Sequence, residues 1–489
     1  MSNPSRDDHA ASRDGTPGIS LAGLIALVIS SSIGSGVFDL TADISAAAVP
    51  GPALLAWVFA GAGFMCLATT FGKLSLEFPR LNGLVAYAKE GFGPFAGFVS
   101  GWGYWLSIWI GNVAFAVMLI TALGYFYPPF AHGLTPGAVV LISVLNWAIV
   151  LLVNRGVERA SAINAVVMVC KLVPIFAFIA VMAVLFDPVV FTSDFWGMLA
   201  GNFAAARATG PASVIEQMRG CLMVMMWVFV GMEGATVLGH RARLKADVSR
   251  ATVLGTMALV AIYVAASVLP YGFLTRAELM DLGSPAMAHI LAEAVGPWGG
   301  AFISCGLVVS IFGAWLSYTI LASEAMNEMA GMDLLPRVFG ELNTYGAPTA
   351  CLIATGAMIQ VLIVVMLLSE EAYQLAYSLC TASIVVSWSL AAAFMMRHAW
   401  PRRHDGARGS FVLALIACVF LVAALLLAGL ELLLLCCIAY ALGIALYVHA
   451  RHEHGCQQVM TGSEKTLAAL IILAALFAVI LLITGHITI

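Results

Sequence analysis

Residues 29–38 read Ile-Ser-Ser-Ser-Ile-Gly-Ser-Gly-Val-Phe, in the middle of an apolar segment that runs from about Leu21 to Pro50. A plain membrane anchor has no use for serines at 30, 31, 32 and 35 together with glycines at 34 and 36. The glycines lower helix propensity and free backbone N–H groups. In hydrocarbon those groups need partners, so broken backbone at that depth is tolerated only inside protein or beside a wet cavity. A half-helix starting near Val37 would aim its positive end at whatever sits there, and a carboxylate is the natural guest. Secondary transporters hold anionic substrate groups in this way. Small-residue packing between helices is the competing account of the same ten residues, so the decision falls to the rest of the chain.

Of the 489 residues, 62% are hydrophobic and 10% charged, and the mean hydropathy is +0.99. Apolar stretches repeatedly exceed the roughly 18 residues that span a bilayer, so the chain is a polytopic membrane protein rather than a soluble domain. The net charge of −4 is spread over loops and selects no partner, and nothing points to nucleic acid. The polar tail Met1–Pro17 lacks the apolar core and cleavage site of a signal peptide. Nine of ten cysteines lie in apolar segments, with neither zinc spacing nor a disulfide framework. The cluster His452-Glu453-His454-Gly455-Cys456 reads as a solvated loop, and no metal or cofactor is expected.

About thirteen spans are predicted: 19–47, 53–77, 95–127, 136–153, 160–186, 219–239, 249–272, 297–323, 349–368, 371–396, 410–429, 431–449 and 465–485. With the N-terminus inside, the inner loops carry most of the Lys and Arg, from Arg80 and Lys89 through the basic loop His240–Arg250 to Arg397–Arg408 and Arg451. The outer loops carry only Arg207, Arg219 and Arg276. That asymmetry places the N-terminus in the cytoplasm, and the odd count then places the C-terminus outside. The outer loop from Asp187 to Arg219 is expected to form a short lid helix, and the inner stretch Glu324–Pro348 short amphipathic helices.

A second interrupted segment lies five spans after the first. Residues 226–235 read Met-Trp-Val-Phe-Val-Gly-Met-Glu-Gly-Ala, with Gly231 and Gly234 around Glu233. Glycine-interrupted segments at matching positions, spans one and six, point to an inverted-repeat transporter and favour the binding account of residues 29–38.

Ionisable residues within spans are costly and therefore functional candidates. Glu233 reads either as a gate or proton-relay carboxylate or as an acceptor for the unwound backbone beside it. Lys171, in Val-Cys-Lys-Leu-Val-Pro, reads either as a proton-coupling group or as a fixed cation bonded to broken-helix carbonyls, and the fixed cation is preferred. Asp39 and Asp43 lie on the outer half of span one. Asp39 suits the first turn of a half-helix but would compete with a substrate carboxylate, so it is expected to face away. Span three carries Gly-Trp-Gly-Tyr-Trp-Leu-Ser-Ile-Trp-Ile-Gly-Asn at 101–112, with Tyr104, Ile108 and Asn112 on one face. A mid-span amide such as Asn112 wants a partner. Trp227 and Trp315 complete an aromatic set whose faces attract cations.

The motifs Ser-Ile-Gly-Ser-Gly-Val-Phe, Tyr-Trp-Leu-Ser-Ile-Trp-Ile-Gly-Asn and Trp-Val-Phe-Val-Gly-Met-Glu-Gly-Ala resemble the amino acid–polyamine–organocation superfamily over about residues 19–396. More narrowly, they resemble its basic amino acid/polyamine antiporter family, with the arginine–ornithine branch nearest and the arginine–agmatine branch more distant. The resemblance implies five plus five inverted helices with spans one and six unwound at the substrate. It further implies that Ser35 and Gly36 bind the substrate carboxylate, that backbone of Trp227 and Val230 accepts from its α-amino group, and that Asn112 contacts its polar end. Trp227 would be a middle gate, Trp315 would stack on the side chain, and Tyr104 with Glu233 would form an inner gate. Cys380 stands where the agmatine exchanger has a hydroxyl on the guanidinium, a departure, and Phe115 lies beside the site. Lys171 matches a lysine of relatives without sodium dependence.

The resulting expectation is an all-α membrane transporter of the inner membrane, not an enzyme, exchanging a basic amino acid for its product, arginine for ornithine. Its parts are a cytoplasmic tail (1–18), repeat one (19–186), an extracytoplasmic loop (187–218), repeat two (219–396) and accessory spans eleven to thirteen (397–489). Those last spans would meet the scaffold, lipid or the second protomer of a homodimer. A proton-coupled symporter or uniporter of the same fold, a lysine/cadaverine or other amino acid/amine exchanger, and a channel or sensor are the alternatives.

Overall fold

The computed structural model describes residues 19–81, 83–130, 134–197, 211–237, 239, 242–368, 372–428 and 430–484. The tail 1–18, Arg207, His240, Arg241 and the middle of the outer loop lie outside the described residues. The first apolar segment is two helices, α1 (Leu21–Ser32) and α2 (Gly36–Ala47), meeting at a bend of 52°. Next come α3 (Pro50–Glu77), a short α4 (Gly83–Phe92), α5 (Pro94–Gly124), α6 (Pro136–Asn154) and α7 (Val157–Leu185). The second half opens with α8 (Pro188–Thr192), α9 (Pro211–Val228), α10 (Gly234–Val237) and α11 (Lys245–Val268). It continues through α12 (Arg276–Asp281), α13 (Ala286–Val295), α14 (Pro297–Gly331), α15 (Thr349–Val365) and α16 (Ala372–Ala399). The chain closes with α17 (Arg408–Ala428), α18 (Leu430–Glu453) and α19 (Gly462–Ile483).

Local chemistry sets many of these starts. α3, α5, α6 and α14 begin with proline in their first turn, where the missing N–H leaves no bond unmade. α12 and α19 begin with capping boxes, Thr275 with Glu278 and Thr461 with Glu464. The Thr275 N–H and hydroxyl hold the Glu278 carboxyl below the usual carboxylate range.

Among the described residues nine helices are long and apolar enough to cross a membrane, or ten with the bent α1–α2 pair. Predicted spans five and nine coincide with the shorter apolar stretches Cys170–Leu185 and Thr349–Val365, and span six with α9 and α10. α5 is the central post, 89% buried over its apolar window, and it lies against α14 and α16. α19 is 17% buried over its window and rests mainly on α18, so its Leu473, Phe477 and Ile480 face outward. Two groups of helices stand out: α1, α2, α3, α9 and α11 pack on one another, as do α5, α6, α14 and α15.

Four features depart from the sequence reading. Span six begins at Pro211 rather than at 219. The inner stretch from Glu324 is not a set of amphipathic helices: α14 runs on to Gly331 because Ala, Met and Glu keep favouring helix, and one 3-10 turn, Arg337–Gly340, follows. The loop after α7 does carry a short helix, α8, as expected, tied down where the Asp187 N–H meets the Gly272 carbonyl at 2.7 Å and the Gly51 N–H meets the Phe195 carbonyl at 2.9 Å. Segments read as plain loops hold α4, α12 and α13. The His452–Cys456 cluster folds onto the loop after α14 instead of standing free: His454 Nδ1 meets Asp333 at 3.0 Å, and Glu453 accepts from the Arg337 N–H at 3.1 Å.

Candidate functional site

The site is built on two breaks that touch. In the first, α1 ends at Ser32 and α2 starts at Gly36, one residue before the expected start. In the second, α9 ends at Val228 and α10 starts at Gly234, and Gly231 between them has φ +105°. A Cβ at Gly231 would lie 2.5 Å from the Ser31 carbonyl oxygen, so only glycine permits this approach. The Ser31 hydroxyl closes the contact by donating to the Gly231 carbonyl at 2.7 Å.

Unwinding leaves carbonyls that must be satisfied away from water, and neighbouring side chains do this. Lys171 on α7 donates to the carbonyls of Ser30 and Ile33, the latter at 2.7 Å. The Ser310 hydroxyl on α14 meets the Gly34 carbonyl at 3.1 Å. The Tyr263 hydroxyl donates to the Val228 carbonyl at 2.7 Å and the Tyr318 hydroxyl to the Val230 carbonyl at 3.2 Å. Lys171 is thus placed against the carbonyls of the first break. The Val230 carbonyl, expected to take a substrate amine, is already shared with Tyr318.

Rings wall the breaks. The Trp227 indole N–H lies 2.7 Å from where a Gly36 Cβ would stand, and the Phe115 ring 2.5 Å from a Gly34 Cβ. Phe115 stands 5.7 Å from Trp227 and 5.0 Å from Tyr318, centroid to centroid, while Tyr377 stacks on Trp227 at 6.2 Å. Asn112 donates to Thr319 at 3.4 Å, one turn beyond Trp315 on α14. Asn112 Oδ1 and Trp315 Nε1 have no hydrogen-bond partner among the described residues, and Ser35 Oγ and Trp227 Nε1 make no close one, though both interact with Tyr373. Orphaned groups of this kind cost about 1–3 kcal/mol each when left unmet; Ser35 and Trp227 lie at the N-terminus of α2, and Asn112 and Trp315 on α5 and α14.

The remaining candidates divide. Glu233 accepts from the Gly231 N–H and from the Trp388 indole, both at 3.3 Å, so it braces the second break. Tyr104 is an electrostatic neighbour of Glu233, and its hydroxyl is unpartnered among the described residues. Cys380 pairs with the Ser107 hydroxyl at 3.1 Å on the seam of α5 and α16, next to Gly111. Asp39 faces away from the break, accepting from the Ser284 hydroxyl at 2.6 Å and the Ala286 N–H at 2.8 Å. Trp105 donates to Thr355 on α15 and serves the scaffold. The sequence reading missed Ser310, Tyr318, Tyr377 and Trp388. Mid-span hydroxyls were the available signal, and many other spans carry them too. Among the described residues no group of three or more metal-ligating side chains gathers.

A many-helix membrane protein whose discontinuous helices present a half-helix N-terminus, aromatic faces and unpartnered polar groups in its interior is of the secondary-transporter class. The chain belongs to the amino acid permease family, whose model matches residues 19–452. It is 47% identical over 472 residues to a protein of Latilactobacillus sakei named arginine/ornithine antiporter, covering 96% of this chain and 98% of that one. A Pseudomonas aeruginosa protein of the same name is 37% identical over 489 residues, covering 98% and 100%. An arginine/agmatine antiporter of Chlamydia felis is 34% identical over 482 residues, covering 96% and 97%.

Proposed function

We propose that this protein exchanges arginine for ornithine across the membrane by alternating access. The observation that carries the reading is the pair of touching breaks, with Ser35 and Trp227 at the start of α2 and unpartnered Asn112 and Trp315 groups on α5 and α14. The exchange named for the Latilactobacillus and Pseudomonas relatives supplies the substrate pair. The substrate carboxylate docks on Ser35 and the N–H groups opening α2, where the helix dipole favours an anion. Its α-amino group meets carbonyls of the second break at Trp227 and Val230, and its cationic end lies among Asn112, Trp315 and Cys380. Trp227 closes the site from outside, and Tyr104 with Glu233 closes it from inside. Lys171 holds the position of a coupling cation, which removes any need for sodium.

The matching breaks in spans one and six support a five-plus-five inverted repeat, residues 19–186 and 219–396, with an extracytoplasmic loop at 187–218 and accessory spans at 397–489. α7, α15 and the pair α9–α10 taken as one would raise the count from ten to thirteen spans. The Lys and Arg asymmetry supports insertion in the inner membrane with the tail 1–18 in the cytoplasm. The outward apolar face of α19 is open to lipid or to a second protomer.

The test is uptake of labelled arginine into proteoliposomes loaded with ornithine, arginine, agmatine or nothing. Uptake only with ornithine or arginine inside is the expected result, and equal uptake into empty vesicles refutes exchange. Trp315→Ala and Asn112→Ala should each weaken arginine binding by about tenfold or more, the loss of one good polar or cation–π contact, while the protein stays folded. Wild-type binding in both variants would refute the site.

A further inference from the structure

α2 carries a second carboxylate that the site above does not use. Asp39 is fully engaged by α13. Asp43 is half-buried, and its Oδ2 is closed off with no hydrogen-bond partner among the described residues. Its electrostatic neighbours are Asp39, a like charge, with Cys221 and Tyr373. Among the described residues no ion pair involves α2. Arg276, near the end of the same helix, donates to the Ser45 and Ala46 carbonyls. His289 borders Asp39 from α13. A carboxylate at this depth without a fixed counter-ion seeks a mobile cation.

The surroundings show where such a cation would be heading. Asp43 follows Gly36 by seven residues, two turns along one face of α2, so it stands about 10 Å beyond the break. That is comparable to the length of an extended arginine. Between the two stands Tyr373, on the first turn of α16. Its hydroxyl neighbours Asp43 and Asp39 on one side and the Ser35 hydroxyl and Trp227 indole on the other. The Tyr373 hydroxyl interacts with Ser35 Oγ and Trp227 Nε1, though none of the three makes a close hydrogen bond among the described residues, and Ser35 and Trp227 are 0% and 3% exposed. The rings form a ladder: Tyr373 meets Tyr377 edge-on at 5.2 Å, and Tyr377 stacks on Trp227 at 6.2 Å.

We propose that Asp43 and Tyr373 form an outer subsite that receives the ammonium or guanidinium of a dibasic amino acid passing between the outer face and the break. This rests on the exchange reading above and assigns it a second, sided station for cationic substrate. Asp43 supplies the charge, the Tyr373 hydroxyl supplies an acceptor, and the ring ladder offers faces to the cation as the carboxylate end descends to Ser35.

The test uses right-side-out vesicles of the full-length protein, varying arginine on one face at a time. Asp43→Asn should raise the external half-saturation concentration about tenfold, the loss of one charge-assisted hydrogen bond, and the internal one less than twofold. Asp43→Glu should restore most of the external value. Tyr373→Phe should give a shift of the same sign, about threefold. Added salt should weaken external capture in the wild type and have little effect in Asp43→Asn. Citrulline, neutral at its end group, should compete equally against both. Equal shifts on the two faces, or none, overturn the subsite while arginine exchange by the wild type stands. If Asp43→Asn does not fold, a wild-type external half-saturation insensitive to salt together with an unshifted Tyr373→Phe overturns it. A wild-type protein that moves no arginine, ornithine or lysine overturns the exchange reading itself.

Discussion

Gly231 carries more of the site than any side chain that touches substrate in the proposed scheme. Its φ of +105° and the 2.5 Å approach of the Ser31 carbonyl are two separate demands. Gly406 isolates the first demand, with φ +98° and nothing within 4 Å of a built Cβ. Gly406→Ala should therefore cost only about 1 kcal/mol, the backbone penalty alone. Gly231→Ala should cost about 3 kcal/mol or more, because strain and a forced separation of the two breaks add. Thermal unfolding of both variants in detergent, followed by tryptophan fluorescence, checks this, and equal midpoints would refute it. The residues that create the breaks were legible in the sequence, since serine and glycine inside an apolar run have few other uses. The residues that satisfy the breaks were not. Ser310, Tyr318 and Trp388 come from other helices, and which turn of α14 or α16 faces the breaks depends on rotation about helix axes that no local pattern records. Asp39 could be placed by argument alone, because a carboxylate beside an anion site must turn aside.

At the scale of the element, long apolar helices were readable and short half-polar ones were not. α4, α12 and α13 have too few residues for periodicity to separate them from loops. α13 matters most, because its first N–H and the preceding Ser284 both hold Asp39. That clasp joins α13 to α2, the second half of the broken span, so motion of α2 would carry α13 with it. Asp39→Asn keeps the size but gives up the charge that strengthens both bonds. Hydrogen exchange across residues 283–295 should then quicken by about tenfold, matching a loss of roughly 1.4 kcal/mol of local stability. Exchange in α12, whose Thr275–Glu278 box is independent of Asp39, should be unaltered. If both helices respond alike, the clasp is not the local tie that the geometry indicates.

At the scale of the whole molecule, the two helix groups meet at the breaks, and this juncture decides how alternating access would work. Ser31 and Gly231 fasten the breaks to each other within the group of α1, α2, α3, α9 and α11. Ser310, Tyr318 and Lys171 reach them from outside that group. If the first group rocks as one body, the fastening between the breaks persists through the cycle while bonds from α14 exchange. If the half-helices swing separately, that fastening must open. A Cβ built at Gly234 lies 3.6 Å from the Ser31 Cβ, within the roughly 3.5–4.5 Å that a disulfide spans. The double variant Ser31→Cys, Gly234→Cys should thus cross-link on oxidation, in a background with exposed Cys170 and Cys305 replaced by serine. The rocking account expects the oxidised protein to keep arginine exchange within about twofold of its reduced form, since a link inside one rigid body costs the cycle little. Exchange abolished by oxidation and restored by reduction would mean that the breaks part during transport. Gly231 would then be a hinge, and its close approach to Ser31 would belong to one state of the cycle only.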